Sequence, residues 1–106
     1  MSGFLNDMPL RWGDMAVGDV NPFSFDFIKL GWTTPADPIV TANVWTSSPN
    51  ELAVIGGPGI LNSIVTIWLA GGCANTEYGV YCQVETQYGR QATRKALLFV
   101  AWSLPN

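Results

Sequence analysis

The order of apolar and polar side chains divides the chain into two unlike parts. From Phe23 onward it has the period of extended strands. Phe23, Phe25 and Phe27 alternate with Ser24, Asp26 and Ile28, the two-residue repeat of a half-buried strand. Ile39–Trp45 is dense in β-branched and aromatic residues, which fit a pleated surface. Glu51–Ile55 reads as a short strand closed by Gly56-Gly57-Pro58-Gly59, and Ser63–Ala70 as a strong strand. Gly71–Asn75 reads as a hairpin loop leading into Thr76–Gln87, where Tyr78, Val80, Cys82, Val84 and Thr86 alternate with Glu77, Gly79, Tyr81, Gln83 and Glu85. Tyr88-Gly89-Arg90-Gln91 supplies a second hairpin turn before a last strand over Ala92–Trp102. Turn signals every 8–12 residues and no amphipathic helix of ten or more residues predict an antiparallel β-sandwich.

Residues 1–22 hold neither a two-residue nor a 3.6-residue period, yet Phe4, Leu5, Met8, Leu10 and Trp12 are apolar. The expectation is an extended N-terminal arm (1–22) ahead of a sandwich domain (23–106). The arm either packs on its own domain or docks on a neighbour, because termini are ordered only when tied down. Two strands carry apolar residues on both faces. With Ala96, Leu98 and Val100 inward, Leu97 and Phe99 point out. In 63–70, either Ile64 and Trp68 or Val65, Ile67 and Leu69 point out. At least one outer sheet face therefore expects cover, and Phe4, Leu5, Met8, Trp12, Leu97 and Phe99 are the candidate partner-interface residues.

Composition sharpens this picture. Charged residues make up 12% of the 106, about half the ordinary share, which is sparse cover for the large surface of a small domain. There is no histidine, so Ser-His-Asp and Cys-His relays and histidine-based zinc sites are excluded. A net charge of −3 argues against nucleic acid as a partner. The longest apolar run, Ala96–Trp102, is seven residues, against about 20 for a membrane-spanning helix. The opening Met1–Asp7 lacks the basic and apolar regions of a signal peptide, so the expectation is synthesis and folding in a reducing cytoplasm.

The candidate chemistry is thin. Glu77 and Glu85 share a strand face but lie about 26 Å apart at 3.3 Å per residue, too far for a glycosidase pair. Asp14, Asp19 and Asn21 do not have the spacing of an EF-hand calcium loop. The glycines at 56–59 lack the following helix and Lys-Ser/Thr of a phosphate loop. If Gly71–Asn75 closes a hairpin, Cys73 and Cys82 are about 20 Å apart, beyond disulfide reach, and Cys82 acts as a small core residue. The expectation is no catalytic residue, metal or cofactor. Arg90, Arg94 and Lys95 are the one basic cluster. Residues 1–53 hold six acids and two bases, while 54–106 hold two acids and three bases. That asymmetry suits basic-to-acidic contact between copies or partners, and equally suits solvated turn charges. Trp12, Trp32, Trp45, Trp68, Trp102 and Tyr81 could form a sugar-stacking platform or serve as core and interface anchors.

Ile67-Trp68-Leu69-Ala70-Gly71-Gly72, then Glu77-Tyr78-Gly79-Val80, Thr86-x-x-Gly89-Arg90, Arg94 and a closing apolar strand to Val100 form a consecutive pattern. It resembles a family of small tailed-phage virion proteins described as fiber–tail adaptors. Phe25-Asp26-Phe27 and Asp37-Pro38-Ile39-Val40-Thr41-Ala42-x-Val44 are similar to that family's first two strands, so the resemblance covers about residues 23–100. Trp68, Gly71, Gly72, Tyr78, Gly89 and Arg90 are then structural-motif residues of two hairpins. The resemblance implies an immunoglobulin-like sandwich and an assembly role without catalysis. The implied partners are other virion proteins of the neck, tail, fiber or capsid, in an oligomeric particle assembled in the host cytoplasm. Capsid decoration or cementing is the nearest alternative, and a carbohydrate-binding module is a second.

Overall fold

The computed structural model describes residues 10–102. Seven strands follow in chain order: β1 Leu10–Ala16, β2 Val20–Asp26, β3 Ile39–Thr46, β4 Leu52–Leu61, β5 Ile64–Gly71, β6 Thr76–Thr86 and β7 Gln91–Ala101. They form two sheets, ordered β1-β7-β6-β3 and β2-β5-β4. Lettered A to G in sequence order, the strands give B-E-D facing C-F-G, with strand A beside G. This is an immunoglobulin-like sandwich. Strand β1 runs parallel to β7, and every other pairing is antiparallel.

Alternation along the strands builds the core. Tyr78, Val80, Cys82, Val84 and Thr86 of β6 are all buried, as their spacing predicts, opposite Ala96, Leu98 and Val100 of β7. Val65, Ile67 and Leu69 of β5 meet them from the other sheet, with Phe25 of β2, Leu52 of β4 and Phe27 just beyond β2, while Met15 of β1 and Ile39 of β3 complete the first sheet's side of the core. Inward side chains of both sheets thus fill one apolar layer.

Three expectations change. Residues 10–22, read as part of an arm, are β1 and the start of β2. The period is hidden there because β1 breaks register between Arg11 and Asp14 at Gly13, whose φ of 87° belongs to the left-handed region. Such a bulge inserts a residue and shifts the inward face. Pro22 sits in β2, an edge strand, where a missing N–H is tolerated. Phe4, Leu5 and Met8 lie outside the described residues. Second, Gly71–Asn75 is not a hairpin loop: β5 and β6 belong to different sheets, so this segment crosses the sandwich. Cys82 is buried in the core and Cys73 exposed in the crossing, both as free thiols. Third, the strand after Glu51 runs on through Gly56–Gly59 to Leu61, with two register breaks. It turns back through Asn62 and Ser63, whose φ values of 53° and 61° are those of a two-residue type I′ hairpin.

Trp12 closes one open side of the sandwich. Its ring stacks on Phe23 at 4.9 Å between centroids and meets Phe25 edge-on at 4.9 Å. Its Nε1 donates to the Ser24 carbonyl at 3.2 Å. One side chain of the first sheet thereby caps the phenylalanines of the second. Trp12→Ala is expected to lower unfolding free energy by about 3 kcal/mol, read from urea denaturation of the 106-residue chain. A loss below about 0.5 kcal/mol would remove Trp12 from the core.

Candidate functional site

The outer face of the β1-β7-β6-β3 sheet carries Leu97 and Phe99, which point outward as expected but are only half-exposed. The register explains their cover. Arg11 of β1 lies beside Leu97, and Glu77 of β6 lies beside Phe99. The Arg11 guanidinium bonds the Glu77 carboxylate at 3.0 Å, so this ion pair spans β7 between the two apolar side chains. The next row is aromatic: Trp45 stacks on Tyr81 at 5.7 Å, and the Lys95 ammonium lies 5.6 Å from the Tyr81 ring centre. Gly79 makes room for this row, since a Cβ there would meet Lys95 Cε at 3.0 Å and the Tyr81 hydroxyl at 3.2 Å. This face mixes charge with apolar surface.

The outer face of β2-β5-β4 is different. Val65, Ile67 and Leu69 point inward, so Ile64, Thr66, Trp68 and Ala70 point out. Trp68 is flanked by Pro22 and Gly56, Ile64 by Asp26 and Leu61, and Ala70 by Val20 and Ala53. Residues 52–76 contain no charged residue. The Asp26 carboxylate turns to its own chain and accepts from the Ile28 and Lys29 N–H groups at 3.2 and 3.1 Å. What remains is an apolar surface with Trp68 45%, Val20 50%, Ile55 57% and Leu61 73% exposed. The Trp68 ring lies across Gly56, where a Cβ would stand 3.3 Å from Trp68 Cδ1.

Two tryptophans therefore exchange the places the sequence gives them. Trp12, a candidate interface residue, is a packing residue. Trp68, a motif residue, is the exposed centre of the apolar face. The facing of 63–70 was open in the sequence. The uncharged run from Leu52 to Thr76 is the signal that points to this surface.

The other motif residues hold the ends of the sandwich together. Gly71 and Gly72 have φ values of 96° and 94°. A Cβ on Gly71 would lie 2.6 Å from the Glu51 carbonyl oxygen, and one on Gly72 would lie 2.7 Å from Val100, so neither position admits a side chain. Across this turn the Tyr78 hydroxyl accepts from the Cys73 N–H at 2.7 Å and donates to Glu51 Oε1 at 2.7 Å. A tyrosine at the start of strand F, bonded to backbone a few residues upstream, is the tyrosine corner of immunoglobulin-like folds. At the opposite end the Arg90 guanidinium bonds the Trp32 carbonyl at 2.9 Å and Asp37 Oδ2 at 3.3 Å, and lies 4.5 Å from the Trp32 ring centre. Arg90 thus pins the β6–β7 turn, bent at Gly89 (φ 87°), to the β2–β3 connection.

Burial pushes the Tyr78 phenol up to about 12 from 10.0, with the bond to Glu51 adding to the rise. Burial pushes the Cys82 thiol up to about 12 from 9.0. Both groups hold their protons longer folded than unfolded, so the unfolded state releases protons first as pH rises. Their stabilising contribution is complete below about pH 9 and is lost between about pH 9 and 12, which urea midpoints across that window will show. Tyr78→Phe is expected to cost about 1–3 kcal/mol at neutral pH and to flatten the loss above pH 10. An unchanged alkaline profile in this variant would dissociate Tyr78 from it.

Comparison with known proteins agrees with the sequence pattern. Residues 15–99 match the family model described as podophage GP4 fiber-tail adaptor protein gp77. No curated protein matches. Among solved structures, the solution structure of the PKD domain from KIAA 1837 protein is similar over 94% of this chain and 88% of that domain, with 16% identity and a TM-score of 0.48. The family match takes in β2 through the crossing at Gly71-Gly72, Tyr78 and Arg90, most of the sandwich, and on it the chain belongs to the podophage fiber–tail adaptor family.

Proposed function

We propose that this chain is a non-enzymatic joint of the virion, fixing fibers or other appendages to the neck or tail by protein–protein contact. Family membership supports a structural role in the phage tail. The observation that carries the docking surface is the predominantly apolar outer face of β2-β5-β4, with Trp68 at its centre, Val20, Ile55 and Leu61 around it, and Asp26 at its border bonded to its own chain. An exposed apolar face is costly in a free monomer and is the ordinary mark of a protein contact. A central tryptophan framed by smaller side chains is the usual anchor of such a contact. Phe4, Leu5 and Met8, outside the described residues, are further proposed partner contacts, while Leu97 and Phe99 with the Arg11–Glu77 pair offer a second, smaller surface. The partners are other virion proteins, and the joint is oligomeric in a particle assembled in the host cytoplasm.

Particles assembled with Trp68→Ser protein test this reading. Because Trp68 lies outside the core, the variant should melt within a few degrees of the parent. Its incorporation, measured by quantitative mass spectrometry of purified particles, should fall ten-fold or more. Deleting residues 2–8 should leave the sandwich folded and weaken incorporation. Unchanged incorporation of both variants would overturn the proposal. Hundreds of copies per particle would move the protein to the capsid as a decoration. Saturable sugar binding lost in Trp68→Ser would make it a carbohydrate module.

A further inference from the structure

A sandwich of two open sheets has four edge strands, here β1, β3, β2 and β4. Exposed edges invite a further strand, and folded proteins blunt them with bulges, prolines, charges or short length. Three of these edges are blunted. Strand β1 has its register break at Gly13 and carries Arg11 and Asp14. Strand β2 contains Pro22 and ends in Asp26. Strand β4 breaks register twice and contains Gly56, Gly57, Pro58 and Gly59. Strand β3 has none of these between Thr41 and Thr46. Ile39–Thr46 contains no charge, proline or glycine, and its one register break lies at the Ile39 end.

The hydrogen-bond phase shows what β3 presents. The Ser47 N–H bonds the Gly79 carbonyl at 2.8 Å, one step beyond the Thr46–Val80 pair. In antiparallel pairing, bonded pairs alternate, so Trp45, Asn43 and Thr41 also turn their backbone groups toward β6. Ala42, Val44 and Thr46 turn theirs to the open side. Thr46 is drawn to the start of β4 by its hydroxyl, which donates to the Leu52 carbonyl at 2.7 Å. Among the described residues, no hydrogen bond outside the strand ladders reaches Ala42 or Val44. Val40 is 52% and Trp45 39% exposed along this edge.

We propose that β3 is the homodimerisation edge of this chain, pairing antiparallel with β3 of a second copy to continue the four-stranded sheet across a two-fold axis at Asn43. Register and the uncharged strand favour a second copy. About that axis Ala42 bonds Val44 of the other copy, Thr41 stands opposite Trp45, and Asn43 meets Asn43. An aromatic opposite a β-branched residue is a favourable cross-strand pair, and the strand has no charges to repel one another. Glu85 lies beside Thr41, while Tyr81 and then Lys95 follow Trp45 along its row. In that row Glu85 of one copy stands four strand spacings, about 19 Å, from Lys95 of the other. That is too far for either charge to steer or oppose the pairing through salt, so the register and the uncharged strand carry the choice of a second copy. This inference stands apart from the docking face on β2-β5-β4, which a β3 dimer leaves open.

The test is sedimentation equilibrium of the 106-residue chain from about 1 to 500 μM, with two kinds of variant. The parent should rise from 11.5 kDa toward twice that mass. Ala42→Pro removes an N–H that faces the open edge and spares the β6 ladder. It should stay monomeric throughout, with thermal melting confirming its fold. If it fails to fold, Val40→Lys takes its place. In a Cys73→Ser background, Asn43→Cys places two thiols at a narrow pair about 4.5 Å apart at Cα, within disulfide range. It should cross-link at least ten-fold faster than Thr41→Cys, whose copies lie about 13 Å apart along the strands. A monomeric parent at all concentrations overturns the proposal. So does a dimer that survives the edge variants or fails to cross-link at position 43.

Discussion

Which surface this protein shows is decided where the chain passes from β5 to β6. Two glycines there accept backbone conformations and contacts that no side chain permits, and Tyr78 ties the crossing to Glu51 and to the Cys73 amide. Because these contacts fix the path of the crossing, the phases of both strands are set against each other. Val65, Ile67 and Leu69 face Tyr78, Val80 and Cys82 across the core. Trp68 and Tyr81 are left on opposite outer faces. A one-residue slip in either strand would turn its core residues outward. The Arg90 clamp does related work at the far end, so both ends of the central strands are fixed by side chains rather than by loop length.

Much of the fold was legible because strands that bury one face must alternate. The β6–β7 hairpin, the inward set on each of its strands and the outward turn of Leu97 and Phe99 are all readable in that way. What was not legible depends on information that is not local. Gly71–Asn75 has the composition of a hairpin loop, and nothing in those residues says that the following strand joins the other sheet. The partner of β1 is β7, at the far end of the chain, and the Gly13 bulge erases the one local sign that Leu10–Ala16 is a strand. The register breaks of β4 hide six residues of strand among glycines.

The proposed contact surface followed the same rule. Trp12 stands in a stretch without period, so its packing on Phe23 and Phe25 had no signature. Trp68 stands in a strand that is apolar on both faces, so its exposure had none either. The lack of charge from Leu52 to Thr76 was visible throughout. It gained meaning only once β4 and β5 were seen to lie side by side, which gathers a linear run into one face. Of the motif residues read from the sequence, Gly71, Gly72, Tyr78, Gly89 and Arg90 hold the sandwich together, and Trp68 alone lies on the apolar face. The motif therefore speaks more directly to the fold than to the contact surface.

The bareness of that face also bears on the timing of assembly. Fast association of proteins in solution relies on charge, which draws partners together over roughly a Debye length and rotates them into register. A surface with so little charge has little such guidance, and its encounters proceed near the slow basal rate of unsteered docking. Once made, an apolar contact owes little to ionic strength. A joint built on the Trp68 face would be slow to form between free proteins, quicker where a growing particle holds the partners close together, and then largely indifferent to the salt of the medium.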